Sequence, residues 1–264
     1  MSPLVARYDH VLLDLDGCVW VGEEATPGAV KAVAALRAAG KGVAFVTNDA
    51  RLAGEEFVRK LWRLGFQASL EEVVTVGGAL QFLLAERFSG STAVVIGSPA
   101  VHRHVEAAGV RILNATTFSS RADVVVVAGH ERFDYGELRT AVQAVLRGAK
   151  LVGAARDRVF PMADGPWPGS GALLAAVEAG SGRAADLVVG KPEPAFYAAA
   201  LDRLGPGRVL GVGDRLDVDV AGAQAAGIDA ALVLTGGATR GEAAAADPPP
   251  QHVAASLAEL VLPQ

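Results

Sequence analysis

A single cysteine, Cys18, stands in a chain of 264 residues, so no intrachain disulfide is available, and a lone thiol fits a reducing compartment. Basic residues are in short supply as well. Lys and Arg number 24 against 29 Asp and Glu, a formal charge of −5 that leaves no surplus to hold a polyanion and argues against nucleic acid as a partner. Long apolar runs are missing, because charges interrupt each one before it reaches membrane-spanning length. The opening Met-Ser-Pro-Leu-Val-Ala-Arg-Tyr has neither the basic start nor the apolar stretch of a signal peptide. The expectation is a cytoplasmic protein without a membrane segment. Fixed-period repeats are absent. What is plentiful is alanine and valine within an apolar fraction of 51%, enough for one large or two modest hydrophobic cores.

The most informative stretch is Val11-Leu12-Leu13-Asp14-Leu15-Asp16-Gly17, an apolar run that closes on two carboxylates and a glycine. Read as a buried strand, its period of two places Asp14 and Asp16 on one side, and Gly17 lets the chain turn away. Two acids this close to a core repel each other and resist desolvation unless a cation neutralises them, which points to a magnesium site. Three more apolar runs end in polar residues: 41–48 in Thr47-Asn48, 187–194 in Gly190-Lys191-Pro192-Glu193-Pro194, and 209–219 in Gly213-Asp214-Arg215-Leu216-Asp217-Val218-Asp219. Open α/β sheets build their ligand sites at the carboxyl ends of strands, and four such endings in one chain reinforce one another.

Between these runs the apolar spacing alternates between strand and helix. A helix is expected over 27–40, a strand over 43–46, a helix over 55–64, a strand over 73–76 and a helix over 78–87, the succession of a parallel sheet. From residue 92 the alternation restarts: strands at 93–96, 124–128 and 151–153, helices at 100–108 and 135–147. None of these strands ends in acids. The expected division is therefore a core of residues 1–85 and 185–264 with a second α/β domain, 86–184, inserted between the chemically marked runs. The tail reads as a helix over 221–226, a strand over 230–234, a proline loop at Pro248-Pro249-Pro250 and a helix over 253–260.

The order Asp-x-Asp-Gly, Thr-Asn, Gly-Lys-Pro-x-Pro and Gly-Asp-Arg-Leu-Asp-x-Asp resembles the haloacid dehalogenase superfamily. Its wording is similar to the NagD-like, 4-nitrophenylphosphatase-type branch, which also carries counterparts of Pro27-Gly28-Ala29 and Pro168-Gly169-Ser170-Gly171. The resemblance spans nearly the whole chain. It implies a Rossmann-like parallel-sheet core with an inserted α/β cap domain, and a Mg2+-dependent phosphatase of small phosphomonoesters. Glycerol phosphate, phosphoglycolate, sugar phosphates, nucleoside monophosphates, pyridoxal phosphate and 4-nitrophenyl phosphate are its candidate substrates. By this resemblance Asp14 is the nucleophile that becomes an aspartyl phosphate, and Asp16 is the general acid and base. Asp14, the backbone carbonyl of Asp16 and Asp214 hold the metal, and Asp219 supports the site, with Asp217 the weaker candidate. The Thr47 hydroxyl, the Asn48 backbone amide and Lys191 hold the phosphate. The cap of this branch often mediates a homodimer.

Two departures from the branch pattern stand out. Asp49 follows Thr47-Asn48 where asparagine is frequent, adding a negative charge beside the phosphate-binding motif. Gly153-Ala154-Ala155-Arg156-Asp157 replaces a stretch that usually contains asparagine. Trp167 either covers the pocket entrance or packs the cap. Cys18 reads as a buried structural thiol, His102 and His104 as surface residues, and His130 as a residue facing substrate or a dimer partner. The pair Gly211-x-Gly213 lacks a third glycine, and Asp214 would repel a pyrophosphate, so dinucleotide binding is discounted. The alternative function is a phosphate-binding or regulatory protein of the same fold without turnover.

Overall fold

The computed structural model describes residues 2–162 and 165–263. The chain first lays down β1 (His10–Asp14), the short pair β2 (Trp20–Val21) and β3 (Glu24–Ala25), α1 (Ala29–Ala38), β4 (Gly42–Thr47), α2 (Gly54–Arg63) and β5 (Val73–Thr75). It continues with α3 (Val76–Phe88), β6 (Thr92–Ile96), α4 (Pro99–Ala107), β7 (Arg111–Ile112), β8 (Val124–Val127), α5 (Tyr135–Leu146) and β9 (Lys150–Gly153). The hairpin β10 (Val159–Met162) and β11 (Gly165–Pro168), α6 (Ser170–Ser181) and β12 (Leu187–Val188) follow. It closes with α7 (Pro194–Leu204), β13 (Val209–Gly213), α8 (Ala221–Ala225), β14 (Asp229–Val233), α9 (Arg240–Ala245), β15 (His252–Ala254) and α10 (Leu257–Val261).

These elements form two compact units. One holds the residues up to Thr47, Gly54–Val74 and the chain from Lys191 onward; the other holds Asn48–Ala53 and Thr75–Gly190. The first is built on a six-stranded sheet in the order β15-β14-β13-β1-β4-β5. Strand β1 lies between β13 and β4 and is parallel to both, with Leu13 opposite Val212 and Asp14 opposite Val46. The direction of winding reverses between β1 and β13, which opens a crevice at their carboxyl ends. Leu12, Leu13, Phe45, Leu210 and Leu232 are buried on this sheet, as a strand covered on both faces requires.

The second unit carries a five-stranded, wholly parallel sheet in the order β12-β9-β8-β6-β7. Its centre is the run Val124-Val125-Val126-Val127, completely buried, with Ile96, Leu151, Leu174 and Val177 in the same core. Helix α5 begins at a capping box in which Asp134 accepts from the Glu137 amide and the Glu137 carboxylate accepts from the Asp134 amide.

Both units alternate strand and helix, as the apolar spacing implies. Their limits differ from the expected 86–184. Helix α3 falls in the second unit because it packs on α4, where the His104 ring comes so close to Gly77 that a Cβ there would meet it at 2.7 Å. At the other limit, β12 pairs with β9 in the second sheet, Leu187 opposite Val152, so the apolar run before Lys191 belongs to that sheet and not to the core. Near the carboxyl terminus the helix expected over 253–260 divides into β15, paired with β14, and α10, capped by Ser256. Pairing at the sheet edge outweighs local spacing there. The hairpin β10–β11 carries two prolines in four residues of β11 and gave no sequence signal of a strand.

Candidate active site

Strand β1 stops at Asp14, two residues earlier than its apolar pattern suggests. Leu15 is buried, Val19 N–H donates to Leu15 O at 2.9 Å, and Gly17 N–H donates to Trp20 O at 2.7 Å, with Gly17 at φ +87°. Asp16 therefore leaves the strand and sits in a tight turn, which corrects the expectation that both acids project from one strand face. Its Oδ1 accepts a hydrogen bond of 2.8 Å from Trp20 Nε1. Trp20 is fully buried, lies parallel to the Phe57 ring at 6.5 Å, and has Lys60 Nζ 4.5 Å over its ring. The Asp16 carboxylate is thus oriented by a side chain that is itself packed on Phe57 and Lys60.

Asp14, Thr47, Lys191, Asp214 and Asp219 come together in the first unit and are all buried. Lys191 Nζ donates to Asp14 Oδ1 and, at 2.7 Å, to Asp219 Oδ1. Asp219 lies on a π-turn, Leu216–Val220, whose wide backbone lets its other oxygen accept from the Arg215 amide at 3.1 Å. Tyr197 Oη donates to Asp219 O at 3.1 Å and holds that turn from below. Asp214, the first residue past β13, accepts from the Gly237 amide at 2.6 Å. It is enclosed by two glycines. A Cβ on Gly17 would meet its carboxyl carbon at 2.5 Å, and one on Gly236 would collide with Oδ2. Asp217, by contrast, turns outward to Arg215 at 2.9 Å, as its weaker standing implies.

Three carboxylates and one ammonium, all buried, carry a net negative formal charge. Burial pushes Asp14 well above the usual carboxylate range, and Asp219 and Asp214 push it the same way against the pull of Lys191. Asp214 is raised to about 6 by burial and by Asp219, with the Gly237 amide opposing. Burial pulls Lys191 down, but Asp14 and Asp219 outweigh it and hold its ammonium charged. Oxygen atoms of Asp14, Asp214 and Asp219 lie within 4.8 Å of one another. An all-oxygen donor set with surplus negative charge fits a hard dication such as Mg2+. The Asp16 side chain is outside this cluster, so its part in a metal site is left to its backbone carbonyl.

The remaining candidates, Cys18 apart, lie in the second unit. Asn48 Nδ2 donates to Asp157 Oδ2 at 2.7 Å. Arg156 is paired with Glu178 at 3.1 Å, and Ala155 is buried. Trp167 is half-buried and pairs across the hairpin with Phe160, ring centroids 6.4 Å apart. His104 is no surface residue: its Nδ1 meets Gln81 Oε1 at 2.8 Å between α3 and α4. His130 Nε2 reaches Glu137 Oε2 at 3.2 Å. Cys18 is a free, buried thiol, raised far above its ordinary pKa by burial first and the neighbouring carboxylates second, which suits an inert structural role.

Trp20, Tyr197, Gly236 and Gly237 escaped the reading of the sequence. Trp20 alone had a local signal, four residues past an aspartate in a turn. The others act through tertiary approach.

The chain belongs to the haloacid dehalogenase-like hydrolases. A model of the family described as haloacid dehalogenase-like hydrolase matches residues 11–111, and one described as HAD-hydrolase-like matches residues 188–260. D-glycerol 3-phosphate phosphatase of Mycobacterium tuberculosis is 35% identical over 94% of this chain and 69% of its own length. Chronophin of Mus musculus is 37% identical over 99% of this chain and 94% of its own. Among solved structures, the glycerol phosphate phosphatase of Mycobacterium tuberculosis in complex with magnesium matches 99% of this chain and 79% of its own with a TM-score of 0.90 and 34% identity. The 4-nitrophenylphosphatase of Thermotoga maritima matches 98% of each chain with a TM-score of 0.89 and 29% identity.

Proposed function

We propose that this protein is a Mg2+-dependent phosphatase of small phosphomonoesters that works through a phosphorylated Asp14. The observation that carries the reading is the buried set of Asp14, Asp214 and Asp219 around the Lys191 ammonium, a charge arrangement made for an anionic substrate and a dication. Asp14 attacks phosphorus in line with the leaving oxygen while Asp16, held by Trp20, gives that oxygen a proton. Asp16 then takes a proton from the water that hydrolyses the aspartyl phosphate, returning both carboxylates to their starting state. Lys191 stabilises charge on Asp14 and the transferred group, and the Thr47 hydroxyl and Asn48 amide hold the phosphoryl oxygens. Asp14, Asp214 and the Asp16 carbonyl are assigned as ligands of Mg2+, which supplies Lewis-acid charge neutralisation at phosphorus.

The second unit takes the part of a substrate-selecting cap, divided from the core near residues 75 and 190. Phe82 and Tyr135, 74% and 80% exposed on that unit, are the residues to vary when its proposed homodimer is sought by sedimentation. Among the described residues no helix is long and apolar enough to cross a membrane. The proposed location is the cytoplasm, which the single cysteine supports. The deciding experiment is phosphate release from a panel of phosphomonoesters, with and without Mg2+, for the native chain and Asp14→Asn. Metal-dependent release abolished in the variant supports the reading. Folded, metal-loaded protein that releases nothing from any ester transfers the assignment to a phosphate-binding or regulatory role.

A further inference from the structure

Helix α2 meets the turn of Asp16 through one ammonium group. Lys60 Nζ donates to Gly22 O at 2.7 Å, lies 3.2 Å from Glu23 Oε1 and stands 4.5 Å over the Trp20 ring. Only 12% of its side chain is exposed, against 72% for Glu23, so the ion pair reaches solvent while the contact with the fully buried Trp20 does not. An ammonium is strongly hydrated in water, and withdrawing it to this depth is costly unless fixed acceptors replace that hydration. The β2–β3 hairpin supplies them.

That hairpin has little to hold it by itself. Strands β2 and β3 are two residues each, paired Trp20 to Ala25 and Val21 to Glu24, with Gly22 at φ +58° in the turn. A two-stranded ribbon this short is not stable alone, so outside contacts decide where it lies. At its base Thr26 Oγ1 donates to Cys18 O at 2.7 Å. At its tip the tie is Lys60, and Arg63 adds an exposed pair to Glu23 at 2.9 Å. Phe57 and Lys60 stand three residues apart and share a face of α2, the first stacked on Trp20 and the second over its ring. The indole held there donates from Nε1 to Asp16 Oδ1 at 2.8 Å. All of these residues belong to the first unit.

We propose that Lys60 is a positioning residue for proton transfer by Asp16: it fixes the β2–β3 tip and the Trp20 indole on α2, and the indole N–H in turn fixes the Asp16 carboxyl group. The inference rests on the phosphatase reading and deepens it. In the first step the bond from Asp14 to phosphorus forms, the ester P–O bond breaks, and the Asp16 proton passes to the departing oxygen, leaving an alcohol and the Asp16 carboxylate. An alkyl ester depends on that proton, because an alkoxide is a poor leaving group. The 4-nitrophenolate anion is stabilised by its ring and leaves with little help. A misdirected Asp16 therefore harms alkyl esters selectively, whereas a general loosening of the site harms both.

The test compares kcat/KM for 4-nitrophenyl phosphate and for the best alkyl phosphate of the panel, at fixed pH and free Mg2+, in the native chain, Lys60→Met, Trp20→Phe and the double variant. This constant is read because it stops at the first irreversible step, before the water attack that both esters share. Lys60→Met lowers the alkyl value by about tenfold or more and the aryl value by less than about threefold, a part of what a positioned general acid supplies. Trp20→Phe, which keeps a ring and removes the donor, does the same, and the double variant loses no more than Trp20→Phe alone. Lys60→Gln answers the same question should Lys60→Met not fold. Equal losses for the two esters, no loss in the folded Lys60 variants, additive losses in the double variant, or a native chain that leaves alkyl esters intact overturns the inference. In each of these cases metal-dependent release by the native protein keeps the phosphatase reading. Native protein silent towards every ester with Mg2+ present overturns the reading and the inference with it.

Discussion

The two units are the same kind of object, a parallel sheet flanked by helices, yet their interiors hold different polar groups. In the first, ions are buried: Asp14, Lys191, Asp214 and Asp219. In the second, the buried polar side chains among the described residues are hydroxyls, each satisfied close by. Thr75 caps the Gly78 amide, Ser98 donates to Ala50 O at 3.1 Å, Ser170 accepts from the Gly129 amide at 2.8 Å, and Ser181 donates to Val177 O at 2.8 Å. Parallel α/β topology therefore does not by itself make a catalytic site. Strand ends become chemistry only where the chain places charges that cannot satisfy one another.

This contrast should appear first in stability. Lys191→Met leaves Asp14 and Asp219 buried without their counter-ion and should cost about 3–5 kcal/mol in denaturant melts at neutral pH without metal. Ser170→Ala in the second unit removes one acceptor from a buried amide and should cost about 1–3 kcal/mol. Equal losses would erase the distinction between ionic and hydroxyl interiors. Rescue of the Lys191 variant by neutralising a neighbour, in Lys191→Met with Asp219→Asn, would sharpen it.

A smaller effect concerns the glycines that enclose Asp214. In Gly236→Ala the new methyl occupies the space of the Asp214 carboxylate, and the carboxylate must rotate. Activity should fall about 100-fold, the scale of an ångström-sized misplacement in a catalytic site, with a matching rise in the Mg2+ concentration needed for half-maximal rate. Adding a methyl at Gly182, where a Cβ meets nothing within 4 Å, should leave the rate alone and show only the modest strain of its φ of +66°. Similar rates for the two variants would remove the steric argument.

The smallest effect lies at the amino ends of the first sheet, where Tyr8 Oη donates to Asp229 at 2.9 Å and lies 3.0 Å from His252 Nε2, with Arg208 on Asp229 at 2.6 Å. Burial first, then Arg7 and Arg208, hold His252 below its ordinary value of 6.5, and Asp229 only partly opposes them. As pH falls below 6.5 the unfolded chain takes up this proton before the folded one does, so stability present above 6.5 declines towards the folded pKa. The thermal midpoint should drop between pH 7.5 and pH 5.5, and His252→Gln should flatten that drop while leaving the rate unchanged. An identical slope in the variant would show that these ions, unlike those at the carboxyl ends, carry no linkage.

Much of the site could be read from the chain alone. Asp14, Thr47, Lys191, Asp214 and Asp219 each follow an apolar run, and the structure gathers all five in one unit. The limits of that unit were less legible. The run 187–189 looks the same whether it joins one parallel sheet or the other, because apolar spacing reports burial and not the identity of the neighbour. Helix α3 is equally silent about its partner until Gly77 and His104 meet.

Composition and motif order thus determined that the protein is an α/β hydrolase with an acidic strand-end site, because burial and charge are properties of residue type and local spacing. Only the tertiary structure decided which groups touch. That Trp20 aims Asp16, that Tyr197 braces the turn of Asp219, that Gly17 and Gly236 make room for Asp214 and that Asp49 engages Arg51 all depend on side-chain direction and close approach. Distances of 3 Å between side chains are set by packing, which no one-dimensional pattern records.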